Sequence, residues 1–276
     1  MSPNYSFDAS ELIRDGKIQA ETLNQLKDWC DSQKLPNLSE HQQILILSCA
    51  NSLKDAQNII GKYFKYKSEA PEIFSDLNLQ AEDLQQAINI YDISVTPQRT
   101  ADNVVIACGK LKDTSYSNFN LGPLFKLTLM ASELYLYEGP VEGLVLIIDM
   151  EGFGFLHLTK IRLGILQKFF QFIQEAMLSK IKAVHVVNTE SLIDKILLIV
   201  RPFIKREIFE VIHFYRRDEV HEIFKKVPRT YVPADYGGSL PAQNILAANT
   251  YRKMVQLQSF YAELEEQVKI YNKLKE

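Results

Sequence analysis

The sequence predicts an α/β fold with parallel strand pairs, preceded by a small all-helical lobe and followed by a long C-terminal helix. Three observations carry this. Residues 20 to 90 repeat apolar side chains at helical spacing behind helix start signals. From about residue 100, short β-branched runs alternate with helical stretches, and parallel neighbours need such crossovers. Those runs are apolar almost throughout, as strands are when helices cover both faces. With 276 residues, 46% of them hydrophobic, the chain can bury a substantial core, which excludes a disordered chain.

In the helical lobe, Ser39 with Gln42 and Ser52 with Asp55 have the spacing at which a hydroxyl and a third-position acceptor satisfy free helix-end amides. Leu53, Ala56, Ile59, Ile60, Tyr63 and Phe64 then follow one helical face, and Pro36 and Pro71 punctuate the ends. DNVVIACGKL, near residue 102, reads as a strand and KDTSYSNFNLGP as a loop. A helix is expected over 124–137 with Pro123 at its first position. Strand 144–149, helix 159–177, strand 183–187, helices 191–200 and 203–208, and a strand near 211–215 continue the alternation. After Pro241 one long helix is expected, its seam formed by Leu257, Tyr261, Leu264, Val268 and Tyr271. Such a seam docks back on the helical lobe or pairs with a second copy as a coiled coil.

The net charge of −3 lacks the basic excess of a nucleic-acid binder, so no nucleic-acid partner is expected. Between Lys180 and Arg229, however, eleven basic residues face seven acidic ones. Cys30, Cys49 and Cys108 are odd in number and widely spaced, which predicts a reducing compartment and no disulfide framework. The first residues lack the apolar core of a leader, and the longest apolar run, 196–200, is far too short to span a bilayer. A cytoplasmic protein is the expectation, a monomer being favoured.

GFG at 152–154 stands where a dinucleotide-binding turn would be, but Leu156 and His157 break the G-x-G-x-x-G pattern. Asp149 and Glu151 are candidates for an acid pair, and His157, His185, His213 and His221 for bases or ligands. Their spacing matches no metal signature, and Asp149 at a strand end suits a turn anchor. No enzyme, metal or cofactor is therefore expected.

What stands out is apolar. Ile161, Ile165, Phe169, Phe172, Ile173 and Ala176 share one helical face, which by itself reads as core packing. Leu192, Ile193, Ile196, Leu197, Ile199 and Val200 then make a short helix apolar on most of its circumference. Such a helix must be buried all round or face something greasy that comes and goes. It ends at Arg201 and Pro202, a candidate hinge. Lys180, Lys182, Arg201, Lys205 and Arg206 lie nearby, either as a solvated face or as a docking patch for anionic headgroups.

DMEGFGFLH, the helix beginning TKIRLG, AVHVVNTE, RPFIKREIF and, above all, VPADYGG resemble the CRAL-TRIO lipid-binding family, in particular its tocopherol-transfer and retinaldehyde-binding branch. The family pattern runs D-x-x-G…H, I-N-x-P, K-P-F and L-P-x-E-Y-G-G. The resemblance covers about residues 20 to 245 and implies a helical lobe over 1–85, a lipid-binding domain with a mixed, largely parallel sheet over 86–242 and a C-terminal helix over 243–276. It further implies a closed apolar cavity and a membrane-responsive lid over 191–200. Position by position it places ligand walls at Phe125, Thr128, Ser132, Leu144, Ile148, Ile161, Phe169, Phe172 and Ile173. Leu129, Leu146 and Ile165 accompany them, and Ile193, Ile196, Leu197 and Val200 form the lid face. Thr128 and Ser132, one turn apart, offer two hydroxyls to a ligand alcohol.

The implied partners are one hydrophobic small molecule of the tocopherol, retinoid or carotenoid class and, transiently, an anionic phospholipid surface. Phosphoinositide contacts fall on Lys180 and Lys182. The chain departs from the pattern at Asn188-Thr189-Glu190, which lacks proline, at Arg201 and at Asp235, and two further phosphoinositide positions carry Glu207 and Val211. A phosphoinositide-dependent trafficking adaptor is the alternative to a carrier.

Overall fold

The computed structural model describes residues 3–189 and 192–276. Six helices come first: α1 (Ala9–Arg14), α2 (Ala20–Ser32), α3 (Glu40–Cys49), α4 (Leu53–Glu69), α5 (Pro71–Phe74) and α6 (Glu82–Ile90). Ser39 and Gln42 form the expected reciprocal cap of α3. Ser52 caps α4, while the Asp55 carboxylate reaches one residue further back, to the Asn51 amide.

The sheet follows as β1 (Tyr91–Val95), β2 (Val104–Leu111), β3 (Gly143–Asp149), β4 (Ile181–Val187) and β5 (Ile212–Phe214), ordered as numbered. β1 runs antiparallel to β2 and all other pairs are parallel. Between them stand α7 (Leu121–Tyr137), α8 (Phe155–Leu158), α9 (Leu163–Glu175), α10 (Ile193–Val200) and α11 (Arg206–Phe209); α12 (Gln243–Gln256) and α13 (Gln258–Lys275) close the chain. No helix among the described residues is long and apolar enough to cross a membrane.

Five expectations change. β1 was not expected at all; its outer edge is satisfied by α12, where Tyr251 Oη accepts from Ile93 N (2.9 Å) and donates to Tyr91 O (2.7 Å), and Thr250 Oγ1 accepts from Val95 N (3.0 Å). α7 begins at Leu121 under an Asn120 cap, which puts Pro123 at the third position, where its missing N–H is still no loss. The helix expected over 159–177 is two, because Thr159 Oγ1 closes α8 on the Leu156 carbonyl (2.6 Å) and the chain extends before α9. Residues 201–209 form a 3₁₀ turn (Arg201–Phe203) and the short α11 rather than one helix. The C-terminal helix breaks at Leu257, so that α12 packs on β1 while α13 packs on α4.

One buried cluster runs from Tyr5 through α4, α7 and α9 to Leu264, so the helical lobe, the sheet's inner face and the tail share a core. The α13 seam is spent inside the chain: Tyr261 and Leu264 are buried and Tyr271 stacks on Phe64 at 5.5 Å. All three cysteines are buried free thiols.

Candidate functional site

The sheet has two unlike faces. On one, Ile106, Cys108, Ile147, Val187 and Tyr215 form a second buried cluster, sealed by Ile223, Val227, Val232 and Tyr236. On the other, the register aligns Gly109, Ile148 and Val186. Ile148, one residue before the end of β3, is 37% exposed, and a Cβ built on Gly109 would meet no atom within 4 Å. This face is therefore open above the Gly109–Ile148 step.

Helices α7 and α9 pack on one another within the main core. Phe125 and Phe169 stack with ring centroids 3.8 Å apart and planes 7° from parallel. Phe125, Leu129 and Leu144 belong to the main core, against which Leu146, Ile161, Ile165, Phe169 and Ile173 pack half-buried. Phe172 makes its ring contacts with the helical lobe, with Phe74 at 4.6 Å and Tyr63 at 5.9 Å. Thr128 Oγ1 donates to Leu124 O (2.9 Å) and Ser132 Oγ to Leu129 O (2.7 Å), so each hydroxyl proton is spent within α7 and each oxygen is left to accept.

The α10 helix carries six apolar residues in eight, and none is buried; Leu198 is 79% exposed. Ser191, the first residue of the expected lid, and Glu190 of the proline-less tripeptide lie outside the described residues. Ile199, Val200 and Phe203 pack on the main core, whereas Ile193, Ile196 and Leu197 join neither cluster. Leu192, Ile193 and Ile196 instead border a cleft of about 100 Å³ with Met150, Phe153, Asn188 and Thr189. Of the residues expected to line a closed cavity, some are buried and some half-buried, and α10, the expected lid, is part-exposed throughout. Beside it, Phe155 (56% exposed) and Leu156 stand out from α8, and Lys195 of α10 lies 4.7 Å over the Phe155 ring.

Most of the expected headgroup cations are engaged within the chain. Lys180 donates to Asn51 Oδ1 (3.1 Å), Lys205 pairs with Glu175 (2.6 Å) and Arg206 with Glu210 (2.8 Å). Arg201 donates to Ile204 O and lies over Phe209. The Lys182 stem lies across Gly143, and its ammonium has no carboxylate partner among the described residues.

Asp149, His157 and His185, considered for catalysis, each hold local structure. Asp149 Oδ1 accepts from Glu151 N (2.8 Å) and Asn188 Nδ2 (2.7 Å), tying the ends of β3 and β4. His157 Nδ1 accepts from Gly154 N, closing the turn into α8. His185, fully buried on the sealed face, shares a hydrogen bond with Tyr215 Oη (2.9 Å), but its Nε2 has no partner among the described residues. Burial, with His213 and Lys226 adding to it, pushes the His185 imidazole down to about 4. Between pH 6.5 and 4 the unfolded chain binds a proton that the folded chain refuses, so stability present above pH 6.5 is lost as the pH falls through that window. The loss expected is about 3 kcal/mol, and urea titrations of His185→Gln should show a correspondingly flatter pH profile.

Sequence reasoning missed what holds the VPADYGG turn. Asp235 caps α12 by accepting from Gln243 N (2.7 Å) and pairs with Lys110 (3.0 Å). Gly237 has φ +82° and Gly238 lies against the Val232 carbonyl. The glycine pair was the only signal of such close approach.

A largely parallel sheet sealed on one face and part-exposed on the other, with the apolar helix α10 exposed beside it, makes a mixed α/β domain flanked by helices. The CRAL/TRIO domain matches residues 92–238, more than half of the chain, and the chain belongs to that family of lipid-binding and transfer proteins. It is 24% identical over 186 residues to the mouse (Mus musculus) alpha-tocopherol transfer protein-like, covering 67% of this chain and 53% of that one. It is 22% identical over 192 residues to rat (Rattus norvegicus) clavesin-1, covering 68% and 53%. The chain thus spans about half the length of the curated relatives it matches. The crystal structure of Sfh5 superimposes with a TM-score of 0.49 at 11% identity, covering 67% of each chain.

Proposed function

We propose that this chain is a non-enzymatic carrier of one neutral, elongated lipid of the tocopherol, retinoid or carotenoid class, held above the Gly109–Ile148 step and covered by α10. The open space over Gly109, beside the part-exposed Ile148 near the C-terminal ends of β2 and β3, supports the reading. Apolar burial supplies the affinity at about 25 cal/mol per Å². Thr128 and Ser132 accept a hydrogen bond, so they favour a lipid ending in a hydroxyl over an ester or aldehyde. The apolar rim at Phe155 and Leu156, flanked by exposed Lys160, Arg162 and Lys195, suits exchange at an anionic membrane surface.

Gly109→Leu fills the space without meeting an atom at Cβ, so uptake of α-tocopherol and retinol should fall at least about tenfold while thermal stability stays level. Fluorescence titration and native mass spectrometry read both quantities. Unchanged uptake by the filled variant, or no uptake of either lipid by the native chain, would sink the reading.

Lys182, exposed and without a carboxylate partner among the described residues, favours the phosphoinositide adaptor as a second reading. It predicts that phosphoinositide vesicles bind better than neutral ones and that Lys182→Ala removes the difference. Equal binding of both vesicles rejects it.

A further inference from the structure

The two ends of α10 are held very differently. At its C-terminal end, Gln174 of α9 donates from Nε2 to Phe203 O (2.9 Å) and accepts at Oε1 from the backbone N–H of Lys205 (2.6 Å). Next to it, Glu175 takes the Lys205 ammonium on one oxygen (2.6 Å). Its other oxygen takes Lys62 (2.9 Å) and the Tyr66 hydroxyl (2.7 Å), both from α4. Burial opposes the Glu175 charge, but these donors outweigh it and hold the carboxyl down at about 2. An acid in the last turn of a helix also faces the negative end of the helix dipole, so its presence there calls for such partners. At its N-terminal end, α10 borders the unfilled cleft beside Met150 and Asn188.

We propose that Gln174 and Glu175 are positioning residues for lipid exchange: they fix the turn Arg201–Lys205 as the pivot on which α10 swings, with its N-terminal end as the moving end. This rests on the reading of α10 as a lid. Through Lys62 and Tyr66, the helical lobe is the fixed side of the hinge. The lobe then sets how fast lipid enters and leaves, while the groove sets which lipid is held.

The test compares the native full chain with Glu175→Gln, Lys205→Met and the charge-keeping Lys205→Arg. Transfer of a fluorescent tocopherol from the protein to phosphatidylcholine vesicles gives the exchange rate, and amide hydrogen exchange over 201–205 reports the pivot directly. Glu175→Gln and Lys205→Met should speed transfer about tenfold, the equivalent of one charged hydrogen bond, and speed amide exchange at Lys205. Lys205→Arg should stay within about twofold of the native rate, and the tocopherol capacity should not change. Native rates in both disrupting variants, or amide exchange that rises throughout the chain rather than at the pivot, would overturn the proposal. If the native chain takes up no tocopherol, the carrier reading loses support, and amide exchange at Lys205 still decides whether the clamp exists. Should Glu175→Gln fail to fold, Lys205→Met carries the comparison, since Lys205 is half-exposed.

Discussion

Lys67→Met is expected to destabilise the protein by about 3–5 kcal/mol, the usual cost of stranding one partner of a buried ion pair. Lys67 and Glu133 are almost wholly buried where α4 meets α7, with Nζ 3.0 Å from Glu133 Oε1. Burial pushes the Lys67 pKa down, and the Glu133 carboxylate opposes that shift. Tyr63 Oη accepts from the same ammonium, whose charge also lies 4.0 Å from the Tyr63 ring centroid. With Lys67 gone, the buried Glu133 side chain is left without its counter-ion. Its Oε2 already has no partner among the described residues. The double variant Lys67→Met with Glu133→Leu should recover most of the loss, since an apolar pair of similar volume leaves no charge behind. Urea denaturation of the four-member cycle measures this. Additive losses would show that the pair does not act as a unit.

Gly238→Ala should cost about 3 kcal/mol or more in the same assay. A Cβ at this position would sit 1.9 Å from the Val232 carbonyl oxygen, a backbone atom that has little room to retreat. That carbonyl accepts from Leu240 N, while Gly238 N donates to Pro233 O and Ser239 N to Arg229 O. One methyl group therefore strains the whole turn that caps α12 and seals the outer sheet face. Gly109→Ala is the control, because its Cβ meets nothing. A Gly238→Ala variant as stable as that control would refute the crowding argument.

Features encoded locally were legible in the sequence. The α3 cap is spelled out by Ser39 and Gln42, and the core-facing side of α9 by Ile165, Phe169 and Ile173, because both depend on spacings within a few residues; Ile161 falls in the link before α9. β1 was not legible, because Asp92 and Ser94 interrupt its apolar pattern and are accommodated from far along the chain. Ser94 Oγ donates to Gln243 Oε1 and Gln243 Nε2 to Asp92 O. The break at Leu257 has no glycine or proline to announce it; the different partners of α12 and α13 impose it. At the site, the expected ligand residues came from the resemblance, and no spacing announces the exposure of Ile148, which depends on how the helices pack over the sheet. The hinge clamp was out of reach for a related reason: Lys62, Tyr66, Glu175 and Lys205 come together only once α4 and α9 have packed.

The hydroxyls of Thr250 and Tyr251 along the outer edge of β1 have a consequence for assembly. A sheet with two free edges offers two templates on which another chain can add a strand and begin to aggregate. Here the outward amides of Ile93 and Val95 and the carbonyl of Tyr91 are already taken by a helix of the same chain. The remaining edge is β5, only three residues long. A chain that leaves an apolar helix such as α10 exposed thus offers little backbone on which neighbouring copies can zip together.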